Sequence, residues 1–365
     1  MTGRDDRDDG GTAVGGRPAG PATDWPAPRE VPTTYPGTAP DGHYLLVDGR
    51  VVPLDVRRAG GNDGERDRLT VTLEDGTPVD DVLAGVGLPT LAERVPVLAY
   101  GSNRSPHTLG LKFVHHGYEP PGGTVAVPVL AGTLTGLDVV AAGLSTQGYV
   151  YADVTESPGT EISVLLTLLD PEQAAAIHDS EGVGRGLYDC ALVPGFSVAA
   201  DGSDSGDDPG GGPGAALDVI AYAGRRPVFL SPETGAPVAF SAIAARGRRF
   251  AAYDQVDLMA HVLSTTGVAG EVAGLLGLGA DDPPAEIARE LARLLSGQWW
   301  YTHNTHDMPM AAAIRAEELV GQALRSHAAA RSTAERLAAE GAVLDLDAVL
   351  AAGPELRLGA QIDLA

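Results

Sequence analysis

The sequence predicts an α+β fold, in which a mixed β-barrel is followed by a helical C-terminal region. Three observations support this class. Short apolar runs separated by turn residues fill positions 94–235, one helical segment lies among them, and an apolar stripe of helical period begins at Ile287 and ends at Leu295. Many short strands around one helix are typical of a closed or half-closed barrel. We therefore assign 94–235 to the barrel and 236–365 to a mainly helical region.

The segments before the barrel divide into two parts. Residues 1–41 are rich in Gly, Pro, Asp and Arg and show no apolar period, which predicts a disordered tail. Residues 42–93 predict a small β-rich N-terminal appendage, because Asp48-Gly49 stands between two apolar runs as in a tight hairpin.

Charge and composition limit the classes of partner. The formal net charge of -24 repels phosphate backbones, so we expect no nucleic-acid partner. No apolar run is long and uninterrupted enough to predict a membrane span. Cys190 is the only cysteine, so no intrachain disulfide is expected, and a cytoplasmic location is the simplest assignment. Lys112 is the only lysine, which we attribute to the base composition of the gene rather than to function.

Two short segments carry the candidate chemistry. The turn Tyr100–Asn103 follows the buried strand 95–99, and Gly101 allows its backbone amides to approach a ligand closely. Glu181 stands at the end of a helix predicted to begin at Pro171, with Asp170 as its cap. Such a carboxylate is a candidate general acid/base. The alternatives are an ordinary turn after a strand and a solvated glutamate.

These segments occur within a longer series of motifs. In chain order the series is Tyr100-Gly101-Ser102-Asn103, two strands flanking Ser157-Pro158-Gly159, Glu181-Gly182-Val183, and Gly186-Leu187-Tyr188. The series resembles the γ-glutamylcyclotransferase family over roughly residues 94–195. The resemblance implies a cyclotransferase-like barrel and a small-molecule γ-glutamyl substrate, which is cyclised to 5-oxoproline without a metal or cofactor. It also implies that Tyr100, Gly101, Ser102 and Asn103 hold the γ-glutamyl group, that Glu181 is the acid/base, and that Tyr188 lines the pocket.

Three other groups of residues could carry chemistry. A nucleophile elbow at Ser102 requires glycines two residues before and after it, where this chain has Tyr100 and Arg104. Cys190 could pair with His178 as a thiol nucleophile, but its apolar strand favours a buried structural thiol. A metal could bind His303, His306 and Asp307, although no further ligand completes the spacing and a structural role is favoured.

Two functions remain alternatives to cyclotransfer. One is a non-catalytic small-molecule-binding or scaffold protein that retains the barrel. The other is a hydrolase that uses the same turn with water and releases free glutamate. A Glu181 side chain that faces a pocket beside the turn favours an enzyme. The identity of the leaving amine, the role of the C-terminal helices and the oligomeric state are left open by the sequence.

Overall fold

The computed structural model describes residues 19–59, 68–200, 216–296, 308–327, 333–339, 341–344 and 356–364. Within these residues, fourteen strands form one hydrogen-bonded sheet. The strands are β1 (Gly20–Pro21), β2 (Tyr44–Val47), β3 (Arg50–Ala59), β4 (Arg68–Leu73), β5 (Val95–Ala99), β6 (Ala126–Leu144), β7 (Val150–Leu169), β8 (Tyr188–Val198), β9 (Leu217–Gly224), β10 (Ala239–Phe240), β11 (Ala245–Arg246), β12 (Ala252–Tyr253), β13 (Val343–Leu344) and β14 (Asp363–Leu364). The helices are α1 (Val79–Gly85), α2 (Pro106–His115), α3 (Pro171–Glu181), α4 (Gln255–Thr266), α5 (Ala269–Leu276), α6 (Pro284–Leu295), α7 (Met308–His327), α8 (Thr333–Ala339) and α9 (Leu358–Gln361).

Five strands close into a barrel. The pairing runs from β7 to β5, β9, β8 and β6, and β6 pairs again with β7, so the ring has no open edge. Strands β5 and β9 pair in parallel, and the other four pairs of the ring are antiparallel. Closure satisfies the backbone donors and acceptors that an open edge would expose. The predicted α+β class with a β-barrel is therefore confirmed.

The two longest strands differ from the prediction. The sequence predicts two strands separated by a turn at Ser157-Pro158-Gly159, but these residues lie inside the single strand β7, which pairs with β6 on both sides of them. The register shifts where Thr135 faces Glu161 and Leu137 faces Glu156, so the intervening residues of β7 bulge out of the ladder. The turn residues are accommodated as a bulge because β6 holds the strand on both sides of them.

Helix α3 has the ends that its sequence predicts. Asp170 accepts from the Gln173 backbone at 2.8 Å, and the Gln173 side chain faces back to the Asp170 amide, which completes a capping box. Gly182 follows in the left-handed region with φ of 68° and ends the helix. Glu181 is consequently fixed in the last turn, one residue before the reversal.

The N-terminal part is more ordered than predicted. The hairpin of β2 and β3 is confirmed, and β2 also pairs with β6, so the segment 42–93 shares the barrel's sheet. Residues 1–18 lie outside the described residues. Residues 19–41 form no disordered tail: Tyr35 is buried and stacks on Tyr149 with ring centroids 4.5 Å apart. Tertiary packing orders this Pro- and Gly-rich segment despite its composition. The boundaries at 93 and 235 stay predictions.

Residues 236–365 are mainly helical where they are described, and they also contribute the short strands β10 to β14 to the sheet. Helices α4, α5, α6 and α7 pack on one another, and α7 also contacts β6. None of the described helices is both long enough and apolar enough to cross a bilayer. His303, His306 and Asp307 lie outside the described residues.

Candidate active site

A cavity of about 420 Å³ opens between the barrel, the segment before β2 and helix α7. This volume falls within the range of pockets that hold small organic ligands. The structure brings all of the predicted site residues to its wall, namely Tyr100, Gly101, Ser102, Asn103, Glu181 and Tyr188. Nothing in the chain's linear order places the first four beside the last two, so their convergence is a product of the fold.

The turn after β5 is held from the barrel side. The Tyr100 hydroxyl donates a short hydrogen bond to the Tyr222 carbonyl, which fixes the start of the turn against β9. Ser102–Arg104 then form a 3-10 turn, whose first amides have no acceptor within the turn itself. A Cβ on Gly101 would lie 3.1 Å from Tyr35 Oη, so glycine permits the close approach of this tyrosine.

Glu181 is anchored through one carboxylate oxygen. Asn103 Nδ2 donates to Glu181 Oε1 at 2.9 Å, and the Lys112 ammonium donates a short hydrogen bond to the same oxygen. Lys112 Nζ also donates to Asn103 Oδ1 at 2.7 Å, so the three side chains form a closed triangle. Glu181 Oε2 makes no hydrogen bond to any of the described residues. The second oxygen is thus the one available to a ligand.

Lys112 is the main site residue that the sequence analysis missed. It lies on α2, which packs against α3, and its side chain is only 14% exposed where it meets Glu181, itself 17% exposed. Our attribution of this lone lysine to base composition is therefore corrected, since it sits in the candidate site. The one signal in the sequence was that Lys112 is the only lysine in a chain that otherwise uses arginine. Its pairing with Glu181 could not be predicted, because it depends on how two helices pack.

Tyrosines make up much of the cavity wall. Six of the ten tyrosines in the chain line it, and burial raises the pKa of every one of the six. For Tyr149 the pKa rises to about 12. These phenols are therefore neutral near pH 7 and act as hydrogen-bond donors rather than bases. The six are Tyr35, Tyr100, Tyr149, Tyr151, Tyr188 and Tyr222.

Tyr35 is the second residue that the sequence analysis missed. Its hydroxyl accepts from the Ala152 amide at 2.7 Å, and its own proton finds no acceptor among the described residues. Tyr188, which the resemblance places in the pocket, donates to the Ala152 carbonyl at 3.3 Å. Both rings are thus tied to one residue of β7. No local signal pointed to Tyr35, because the surrounding composition is that of a tail.

The competing nucleophiles are not supported by geometry. Cys190 is buried, and burial raises its pKa to about 12, so the structural thiol that we predicted is confirmed. Its sulfur lies 3.9 Å from His178 Nδ1, and burial lowers the pKa of His178 to about 4. No hydrogen bond between Ser102 and a histidine occurs within the described parts of the chain. These parts also contain no group of three or more His, Cys, Asp or Glu side chains arranged to hold a metal ion.

No family model matches the chain, and no curated protein matches it. Two solved structures are similar to part of it: an uncharacterized protein from Homo sapiens, at 20% identity, and a γ-glutamyl cyclotransferase, at 17% identity. In both cases 36% of this chain and 66% of the other chain are covered, with a TM-score of 0.24. The chain thus spans slightly less than two thirds of each structure, and likeness of this degree assigns no activity.

Proposed function

We propose that the chain is a γ-glutamylcyclotransferase-like enzyme, which cyclises a γ-glutamyl amine or peptide to 5-oxoproline and releases the amine. The observation that carries this proposal is the position of Glu181. Its carboxylate lines the same cavity as the Tyr100–Asn103 turn and accepts a hydrogen bond from Asn103 at 2.9 Å. The candidate acid/base and the turn whose amides would serve as donors therefore line one ligand-sized space, and they occur in the order of motifs that resembles the family.

The reaction needs one proton carrier. Glu181 Oε2 takes a proton from the substrate's α-ammonium group, and the freed nitrogen attacks the γ-carbonyl carbon. The new C–N bond closes a five-membered ring, Glu181 passes the proton to the leaving nitrogen, and the original γ C–N bond breaks. The attacking nitrogen gives up a second proton as it becomes the lactam N–H, and the same carboxylate carries this proton to the released amine. The products are 5-oxoproline and the protonated amine, and neither water nor a co-reactant is consumed.

The rest of the site would position the substrate. Because both reacting groups belong to one molecule, the main task of the protein is to fold the substrate into its reactive conformation. The amides at 101–103 would stabilise the negative charge that develops on the carbonyl oxygen. Neutral tyrosines such as Tyr188 would supply walls that exclude water and donate hydrogen bonds without competing for the proton.

One observation favours the alternative of a non-catalytic binding protein. Glu181 is already paired with Lys112, so an incoming ammonium group meets a carboxylate with a cation beside it. The proposed function requires that Oε2 remain available while Lys112 holds Oε1. Turnover, rather than binding, separates the two functions.

The test is a product assay with matched variants. Wild-type protein, Glu181→Gln and Glu172→Gln are incubated with γ-glutamyl amines and peptides, and 5-oxoproline is measured by mass spectrometry. Glu172 lies on the same helix, is exposed and does not line the cavity, so it controls for the substitution itself. We expect product from the wild type and Glu172→Gln, and a loss of about 10³-fold in Glu181→Gln. Binding without product across the panel would establish the binding protein, and free glutamate would establish the hydrolase.

A further inference from the structure

The cavity has a second group of charges, away from Glu181. Arg226 follows β9, and Glu317 and Arg325 lie on α7; all three line the cavity. None of them belongs to the span 94–195 that carries the motif resemblance. These three residues form a charged rim.

The rim is connected to the tyrosine wall. Arg226 Nη1 donates to Tyr151 Oη at 3.2 Å, and the Tyr151 ring meets the Tyr188 ring edge-on at 6.4 Å. Tyr188 is one of the residues that the motifs place in the pocket. A ligand that contacts Tyr188 is therefore separated from Arg226 by the Tyr151 ring alone.

Gly321 brings the two rim residues of α7 together. Glu317, Gly321 and Arg325 follow one another at intervals of four residues, so they share one face of the helix. A Cβ on Gly321 would lie 3.5 Å from Arg325 Nη1 and 3.9 Å from Glu317 Oε1. The two side chains consequently converge over the glycine, at the helix face that borders the cavity.

The charge of the cavity is opposite to that of the chain. Its lining contains four cationic side chains and two carboxylates, whereas the whole chain carries -24. Lys112 is paired with Glu181, and the rim keeps two arginines for one glutamate. Burial raises the pKa of Glu317, and Arg325 and Arg226 oppose that rise. The rim therefore favours an anionic ligand group and disfavours a cationic one.

We propose that Arg226 and Arg325 form a subsite for a carboxylate on the leaving amine. Guanidinium groups match the planar carboxylate geometry and can bind it through paired hydrogen bonds. The preferred substrates are then γ-glutamyl amino acids or short peptides with a free carboxylate, rather than γ-glutamyl polyamines or simple amines. This inference rests on the proposed function, because it names the amine that cyclisation releases.

The test compares a charged and an uncharged leaving group of equal size. The probes are a γ-glutamyl amino acid, its carboxamide and γ-glutamylputrescine, and the readout is kcat/KM for each. The variants are Arg226→Gln and Arg325→Gln. The controls are Arg225→Gln, whose side chain pairs with Asp189, and Arg315→Gln, exposed on α7; neither residue lines the cavity. Thermal unfolding of each variant verifies that it is folded.

We expect the wild type to prefer the acid over the carboxamide by about tenfold or more, as hydrogen bonds to a charged group warrant. Each rim variant should reduce that ratio severalfold, and the controls should keep it. Equal kcat/KM for acid and carboxamide, or a preference for the putrescine compound, would overturn the subsite and leave the cyclotransferase proposal intact.

Calorimetry with Glu181→Gln separates the failure of the subsite from the failure of the proposed function. Suppose that no probe yields 5-oxoproline, but that Glu181→Gln binds the acid more tightly than the carboxamide. The carboxylate subsite is then supported, and only the proposed cyclisation is rejected. The preference must then vanish when Arg226→Gln is added. Equal binding of acid and carboxamide, or no binding of either, rejects the subsite.

Discussion

The cavity has two walls that differ in how the chain builds them. The barrel wall consists of the turn Tyr100–Asn103, Glu181 and Tyr188, and each part continues from a strand of the closed ring or from the capped helix α3. The outer wall consists of the segment 28–35 and helix α7, which lie outside the ring of strands. Tyr100 and Asn103 are buried, whereas Arg226 beside α7 and Arg325 on it are exposed.

This difference suggests a division of labour. Chemistry requires side chains held to within fractions of an ångström, which backbone-paired strands and a capped helix provide. Selection among leaving groups requires only that suitable charges face the ligand. Variants of the barrel wall should therefore lower kcat, and variants of the charged rim should change the ratio of kcat/KM between substrates. Exceptions to this rule would show that the two walls act as one unit.

The largest effect in this comparison is expected at Lys112. Lys112→Met removes the cation that, with Asn103, holds Glu181 Oε1, and leaves the carboxylate fixed by one neutral hydrogen bond. We expect kcat to fall by up to about a hundredfold with little change in KM, because small displacements of an acid/base are costly. Steady-state kinetics on a γ-glutamyl amino acid provide the measurement.

Lys112→Arg is the matched control, since arginine keeps the charge. It should restore part of kcat. Faster turnover in Lys112→Met than in the wild type would contradict a positioning role, and would mean instead that the lysine blocks the site of the substrate ammonium.

A second effect concerns the support behind the barrel wall. His178 lies one turn before Glu181, and its Nδ1 pairs with Tyr222 Oη at 2.8 Å. Burial lowers the pKa of His178 from 6.5 to about 4, although Glu181 opposes this shift. Between these values the unfolded chain binds a proton that the folded protein excludes, so stability falls as the pH falls from 6.5 toward 4. Tyr222 and Cys190 stay protonated over this range, since burial raises both of their pKa values.

Urea unfolding at several pH values measures this effect. His178→Gln removes the titrating group, so its free energy of unfolding should depend less on pH than that of the wild type. We expect the difference between the two proteins to change by about 2 kcal/mol between pH 6.5 and pH 5. Parallel curves for wild type and variant would show that His178 binds its proton equally well in the folded and unfolded states, and would refute its role as a neutral, buried support.

The two walls also differ in how far the sequence predicts them. The barrel wall follows from local signals: Asp170 and Pro171 begin α3, Gly182 ends it, and Gly101 marks the turn after β5. Each of these signals involves residues that are close in sequence, and the structure shows each one at the predicted place. The partners across the cavity depend on long-range packing, so Lys112 of α2 could not be assigned to Glu181 beforehand.

Local signals also misled the prediction at two places. Ser157-Pro158-Gly159 has turn chemistry, yet β6 holds β7 extended on both sides and the turn residues become a bulge. The composition of 1–41 predicts disorder, yet the stacking of Tyr35 on Tyr149 orders part of it. In both places tertiary contacts override a composition that favours irregular backbone.

The smallest effect is expected at Tyr35, the residue of the outer wall whose hydroxyl approaches Gly101 of the barrel wall. Its hydroxyl accepts the Ala152 amide at 2.7 Å, and the space in front of it stays open because Gly101 has no side chain. Burial raises the pKa of Tyr35 well above 10.0, so its proton remains available for donation to a substrate carbonyl. Tyr35→Phe should lower kcat about tenfold, the contribution of one hydrogen bond to a partly charged oxygen.

Tyr44→Phe is the control, since Tyr44 is equally buried but does not line the cavity. If kcat is unchanged in Tyr35→Phe and only thermal stability falls, Tyr35 serves in packing alone. The reaction would then depend only on residues of the barrel wall.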